Sequence, residues 1–248
     1  MELFGEGLAW LADPANWTDP RNGIPLRLWE HVSLSVASLV VAAIIALPLG
    51  LWIGHTGRGG AAVIAIANVG RAVPSVGWLG IVFPFTLALF GRNGLGFLPS
   101  LIALVALGIP PMVTNTYAGL REVDRDLVEA GRGMGMRGME VLRSVEVPVA
   151  LPVILAGIRV SALQIVATAT LASIVGGGTL GEFIVQGIFV RDLDRVVGGA
   201  VLVAVLAILT ELLFSWIQRR AVSPGLSGRS AWSPMAPGQM GRPGGELV

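Results

Sequence analysis

Side chains that commonly do chemistry at neutral pH are scarce here: 248 residues contain two histidines, no cysteine, and 17 basic residues that are all arginine. Without cysteine there are no disulfides, thiolate metal sites or cysteine nucleophiles. Without lysine there is neither a phosphate-gripping lysine nor a Schiff base. His31 and His55 have no second histidine or carboxylate cluster at helical spacing, so no metal site is expected, and they read as interfacial residues at the two ends of one apolar helix. Paired carboxylates or a nucleophile within apolar runs, as an embedded enzyme needs, are missing too. Two strings, Gly133-Met134-Gly135-Met136-Arg137-Gly138 and Gly176-Gly177-Gly178-Thr179-Leu180-Gly181, satisfy G-x-G-x-x-G. Neither follows a short strand and opens a helix, as a dinucleotide site requires, so both are chance matches in a glycine-rich chain.

What polar chemistry there is gathers in one island, Leu120 to Pro148, reading LREVDRDLVEAGRGMGMRGMEVLRSVEVP between strongly apolar runs. Such a segment must meet water. The rest is dominated by the bilayer as solvent: 54% of residues are hydrophobic, 13% are charged, and the mean hydropathy is +0.76. A net charge of +1 carries no nucleic-acid footprint.

The elements that hold this island follow from apolar run lengths. Val32 to Ile53, framed by Trp29 and Trp52, is long enough for a first transmembrane helix. Gly60 to Gly91 is apolar but interrupted by Arg71, Pro74 and Pro84; it reads as one kinked helix or two shorter pieces, with one kinked helix preferred. Leu101 to Leu120 follows, started by Pro99-Ser100 and bent at Ile109-Pro110-Pro111. Pro148 restarts the apolar pattern, which runs to Val175; Gly176-Gly177-Gly178 then breaks it before a turn at Arg191 to Arg195. A last span covers Val196 to Ile217.

The sequence therefore predicts an all-α integral membrane fold of about five transmembrane helices. Arginine placement orients it. With the N-terminus outside, ten arginines lie in inside segments and five in outside ones, so the island is expected to be cytoplasmic. Residues 1–31 form an extracytoplasmic segment in which Asp13-Pro14, Asp19-Pro20 and Gly23-Ile24-Pro25 limit any helix to a few turns; it has no basic signal-peptide region. Residues 32–217 form the membrane domain, and residues 218–248, ending rich in Gly, Pro and Ser, are expected to be a disordered cytoplasmic tail.

Within the island, Val123 to Gly133 can form a short helix, Gly135 the positive-φ turn, and Arg137 to Ser144 a second helix. Glu129-Ala130-Gly131, three residues, Gly135, nine residues, then Val145-Glu146-Val147-Pro148 resembles the EAA motif of ABC importer permeases. Gly131 stands for the second Ala of that motif, and Val145 and Val147 for its Ile and Leu. The resemblance implies a type I importer permease fold whose cytoplasmic helix-turn-helix docks in a cleft of a separate ATPase. Glu129 would pair charges at that joint, Ala130 would allow close approach of backbones, Gly135 would turn the chain and Pro148 would restart the next helix, with Gly131 and Val145 keeping the motif's small and apolar character. It further implies that ATP and Mg are bound by the partner ATPase, with no cofactor in this chain.

Further strings, His31-Val32-Ser33-Leu34-Ser35, Ala46-Leu47-Pro48-Leu49-Gly50, Asn115-Thr116-Tyr117-Ala118-Gly119 and the triple glycine, look like the permeases of osmoprotectant importers over about residues 30 to 217. That likeness implies a cell-membrane protein carrying glycine betaine, choline or carnitine, served by an extracytoplasmic substrate-binding protein. Another small solute such as an amino acid is the alternative. Five helices enclose little, so a solute path calls for a second permease, a copy or a relative. A secondary transporter or channel would show an inverted repeat, and none is found.

A quaternary ammonium needs aromatic faces. Trp78, Phe83, Phe85, Phe90 and Tyr117 are candidates, each equally able to pack against lipid or helices. Arg71, Pro74, Trp78, Asn115 and Tyr117 are the candidate path residues. Arg71 is expected to face the path or to pair with Glu211, whereas Arg159 and Glu211 are expected to snorkel.

Overall fold

The computed structural model describes residues 2–222, so the part of the expected tail from 223 onward lies outside the described residues. The described residues form eleven α-helices in chain order: α1 (Glu2–Ala12), α2 (Ala15–Thr18), α3 (Ile24–Thr56), α4 (Gly60–Ala72), α5 (Ser75–Phe90), α6 (Phe97–Arg121), α7 (Arg125–Gly133), α8 (Gly138–Val141), α9 (Val147–Thr168), α10 (Gly181–Val190) and α11 (Leu193–Ala221). A 3-10 turn, Gly91–Gly94, ends α5; a π-helical turn, Leu142–Glu146, joins α8 to α9; and a 3-10 segment, Ala169–Val175, ends α9. Among the described residues, five continuous helical stretches are long and apolar enough to cross a membrane: Ile24–Thr56, Ser75–Gly94, Phe97–Arg121, Gly138–Val175 and Leu193–Ala221.

The core is a three-helix unit of α3, α6 and α9. Bilayer lipid supplies no hydrophobic drive for helix association, so close contact rests on small residues that let backbones approach. A Cβ added at Gly50 would fall 2.7 Å from the Thr116 Cβ, and one at Gly54 2.8 Å from the Leu120 Cβ. Across the other seam, the Ser161 hydroxyl donates to the Gly108 carbonyl at 2.7 Å, tying α9 to α6 beside Pro110 and Pro111, which lie inside α6. Leu34, Leu104, Leu107 and Ile165 fill one part of the seam, and Ala46, Ile53, Met112 and Val113 the next.

Several expectations change. The first span starts at Ile24, not Val32: Pro25 sits in the first helical turn, where a missing N–H leaves nothing unpaired, and Arg27 pairs with Glu30 at 2.9 Å one turn on. His31 therefore lies two turns inside the helix; it is fully buried rather than interfacial, and its Nε2–H donates to the Val166 carbonyl at 2.9 Å. Gly60 to Gly91 is not one kinked helix. It breaks at Val73, which is extended (φ −72°, ψ 122°) because Pro74 disfavours a helical conformation in its predecessor. The Trp78 indole N–H reaches back across the break to the Gly70 carbonyl at 3.3 Å.

Between the triple glycine and the Arg191 turn there is a helix, α10, which the glycine run concealed. Its Phe183 packs edge-to-face on Trp10 of α1, with ring centroids 5.1 Å apart, and Ile24 and Leu180 complete that cluster. Residues 218–221, expected in the tail, are the last turn of α11. At this end of the molecule the Gly96 N–H donates to the Val175 carbonyl at 2.9 Å, joining the α5–α6 loop to the close of the fourth span.

Candidate functional site

The polar island lies at the end of the core opposite α10; its first helix and tight turn form where the sequence predicts them, with α7 starting at Arg125, whereas the expected second helix, Arg137 to Ser144, is only the four-residue α8, which runs on through the π-turn into α9. Asp124 caps α7, its carboxylate accepting the Asp126 N–H at 3.0 Å. At the other end Gly135 adopts φ +88°, the Met136 N–H donates to the Gly131 carbonyl at 3.2 Å, and the Gly135 N–H donates to Arg132 at 2.9 Å. That pair of bonds is a Schellman motif, and its positive φ is the reason glycine occupies position 135. The Arg137 N–H then donates to the Glu140 carboxylate at 2.7 Å as α8 starts.

The elbow presents Glu129 and Ala130 to solvent and keeps Gly131 buried. A methyl group at Gly131 would meet Met136, Val145 and Val141 at 3.5 to 3.7 Å, ordinary contact distances, so the position would accept the alanine of the EAA pattern. Val145 is half-buried and Pro148 exposed. Pro148 does not restart a helix. The chain is helical without interruption from Gly138 to Val175, and the widened turn at Leu142–Glu146, in which the Val147 N–H bonds back to Leu142, accommodates the proline that follows.

Beneath the elbow lies a polar pocket of about 300 Å³ lined by His55, Arg121, Arg125, Glu129, Arg132 and Glu146. His55, on the last turn of α3, donates from Nδ1 to the Glu146 carboxylate at 2.5 Å, and Glu146 is 6% exposed. The sequence reading missed this pair. Its members are 91 residues apart, and the only available signal was a glutamate set among the valines of VEVP.

The candidate path residues do not form one cluster. Arg71 and Pro74 are exposed at the α4–α5 break, and Trp78 packs beside them against the Leu34 and Leu104 core. Asn115 and Tyr117 are elsewhere on α6. The Asn115 amide donates to the Pro111 carbonyl at 2.8 Å and its side chain lies against Gly157 of α9, whereas Tyr117 lies against Gly60 at the start of α4. Among the other rings, Phe85 and Phe90 are exposed and Phe83 packs near Leu79. Arg71 does not pair with Glu211. Arg159 takes that carboxylate, its Nε–H donating to Oε2 at 2.8 Å, because α11 packs on α9 while α4 packs on α6. Arg159 and Glu211 thus satisfy each other instead of snorkelling separately, and Gln218 adds a bond to the Pro152 carbonyl at 3.3 Å. No group of three or more metal-ligating side chains occurs among the described residues.

Five membrane-length helices with a capped, water-facing elbow between the third and fourth define a multi-span membrane transport component. The family model for the inner membrane component of binding-protein-dependent transport systems matches residues 46–223, and the chain belongs to that family. Among its relatives, the glycine betaine/carnitine/choline transport system permease protein OpuCB of Bacillus subtilis (strain 168) is 37% identical over 80% of this chain and 88% of its own length. A carnitine transport permease protein of Listeria monocytogenes is 36% identical over 79% of this chain and 86% of its own. Among solved structures, a chain of the MetNI methionine ABC transporter in an inward-facing conformation superposes with a TM-score of 0.71 and 25% identity, covering 79% of this chain and 94% of that one. The fold is therefore that of ABC importer permeases.

Proposed function

We propose that this chain is the permease subunit of an ATP-driven importer for a compatible solute of the glycine betaine, choline or carnitine class. The observation that carries the reading is the elbow: a doubly capped helix pair displays Glu129 and Ala130 outward on a rigid knob, as docking into a separate motor requires. ATP and Mg belong to that ATPase, because this chain has no lysine and no phosphate-binding loop. In this reading the elbow is cytoplasmic and the N-terminus outside the cell membrane, as the arginine distribution supports.

A second permease, identical or related, covers the broken span. There α4 and α5 expose Ile66, Val69, Ile81 and Phe85, and Arg71 beside the break is exposed too; an arginine within an apolar stretch is costly against lipid but not against a partner or a wet path. A substrate-binding protein delivers the solute from outside. The substrate class is supported by relatives named for betaine, choline and carnitine.

The test is reconstitution with the partner ATPase and binding protein in liposomes. ATP-dependent uptake of labelled glycine betaine, competed by choline or carnitine, is expected. Uptake without ATP refutes the importer reading, and competition by amino acids alone refutes the substrate class. The fold shared with a methionine transporter is the ground for including that competitor.

A further inference from the structure

We infer that the His55–Glu146 pair is a positioning clasp that makes the elbow and the end of the first span move as one body, and so sets how much solute crosses per ATP. The inference rests on the permease reading above, and nothing in that reading requires these two residues.

Three observations meet here. Glu146 is the last residue of the π-helical turn that separates the elbow from the fourth span, and such widened turns are local weak points of a helix, often found at functional positions. Along the chain, a load applied at Glu129 reaches α9 through this turn, beside the packing of Val128 on the Leu142 and Ala150 cluster. His55 closes the weak point from outside: its Nδ1–H grips the Glu146 carboxylate at 2.5 Å, and its Nε2 lies 3.4 Å from where a Cβ at Gly138 would sit. One ring therefore touches both the start of α8 and the end of the π-turn. Finally, Glu129, Arg125, Arg132 and Arg121 line the same pocket as the pair, so the exposed coupling face and the clasp share one cavity wall. Since α3 is locked to α6 by the close approaches at Gly50 and Gly54, a displacement reaching His55 is carried to both spans.

The charge environment favours a clasp over simple packing. Glu146 is 6% exposed, and a buried carboxylate without a partner is strongly destabilising, so loss of the imidazole releases the turn. An asparagine at 55 places an amide N–H near the position of Nδ1 and preserves the grip.

The experiment uses the full chain in complex with its ATPase, comparing His55→Leu, His55→Asn and the double variant His55→Leu/Glu146→Leu. Co-purification with the ATPase is expected to persist in all three. Solute imported per ATP is expected to fall about tenfold in His55→Leu, the loss of one charge-assisted hydrogen bond, and to stay near wild type in His55→Asn. The double variant regains thermal stability, having no stranded carboxylate, but stays uncoupled. If it regains coupling as well, the pair is only structural and the clasp is refuted; an unchanged ratio in His55→Leu refutes it equally.

A second readout is independent of transport. The chain has no native cysteine, so spin labels at Thr56→Cys, the exposed last residue of α3, and Met139→Cys on α8 report the distance between the first span and the elbow. His55→Leu should broaden that distribution and His55→Asn should not, and an identical distribution in both overturns the clasp. Should the wild-type complex import nothing with ATP, the permease reading falls while this distance still decides the clasp.

Discussion

Removing one member of the Arg159–Glu211 pair should strand a charge in the bilayer. Arg159 lies about 18 Å along α9 from Val147, and Glu211 about 15 Å from the Ala221 end of α11, at 1.5 Å per residue. Both positions lie well inside helices long and apolar enough to cross a hydrocarbon core about 30 Å thick. A lone charge at a helix centre costs about 2.5–3.5 kcal/mol on insertion scales. The two side chains retain 31% and 36% exposure, which leaves them room to relax toward polar surroundings. Arg159→Leu should therefore lose about 2 kcal/mol of stability, and Glu211→Leu a similar amount. The double substitution to leucine removes both charges and should cost less than about 1 kcal/mol, and the exchange Arg159→Glu/Glu211→Arg should recover much of the loss. Equilibrium unfolding by SDS in mixed micelles, run as a double-mutant cycle, measures all four variants. Single losses that simply add in the double variant would refute the reasoning, since independent snorkelling produces that pattern.

Four further outcomes follow from the site. Gly131→Ala should stabilise the elbow by about 0.5–1 kcal/mol, because the position is helical with room for a methyl, and should leave ATPase binding intact; thermal unfolding and co-purification check it. Gly135→Ala forces a side chain onto φ +88° and should cost about 1 kcal/mol, seen as faster tryptic cleavage after Arg132 and Arg137. Glu129→Arg reverses an exposed charge that no described residue pairs with, so ATPase co-purification should fail while helix content by circular dichroism is unchanged. Arg71→Leu should abolish most ATP-driven uptake with assembly intact, and full uptake would place Arg71 outside the path.

Much of the elbow was legible in the primary structure. Gly135 and the glutamate spacing are local signals, and a positive-φ turn depends on neighbours a few residues away; the Asp124 cap is equally local but was not read, since the helix was expected to start at Val123. The start of the first span was harder, because Pro25 reads equally as a breaker or as a first-turn residue, and only burial of Ile24 against Leu180 and Phe183 chooses. At Pro74 the residues allowed a kink or a break, and the indole of Trp78, capping Gly70, accompanies the break. The short apolar α10 was hidden by the glycines before it, although its ten residues are helical once Phe183 has Trp10 to pack on.

The order of residues alone determined the number of membrane spans and the turn chemistry of the island, because hydropathy and backbone preference act over one or two helical turns. Tertiary structure decided which charges meet: Arg159 with Glu211 across 52 positions, and His55 with Glu146 across 91. Those partnerships depend on which faces of α3, α9 and α11 rotate toward one another. The packing of glycines and small side chains between helices sets that rotation, and no one-dimensional pattern contains it.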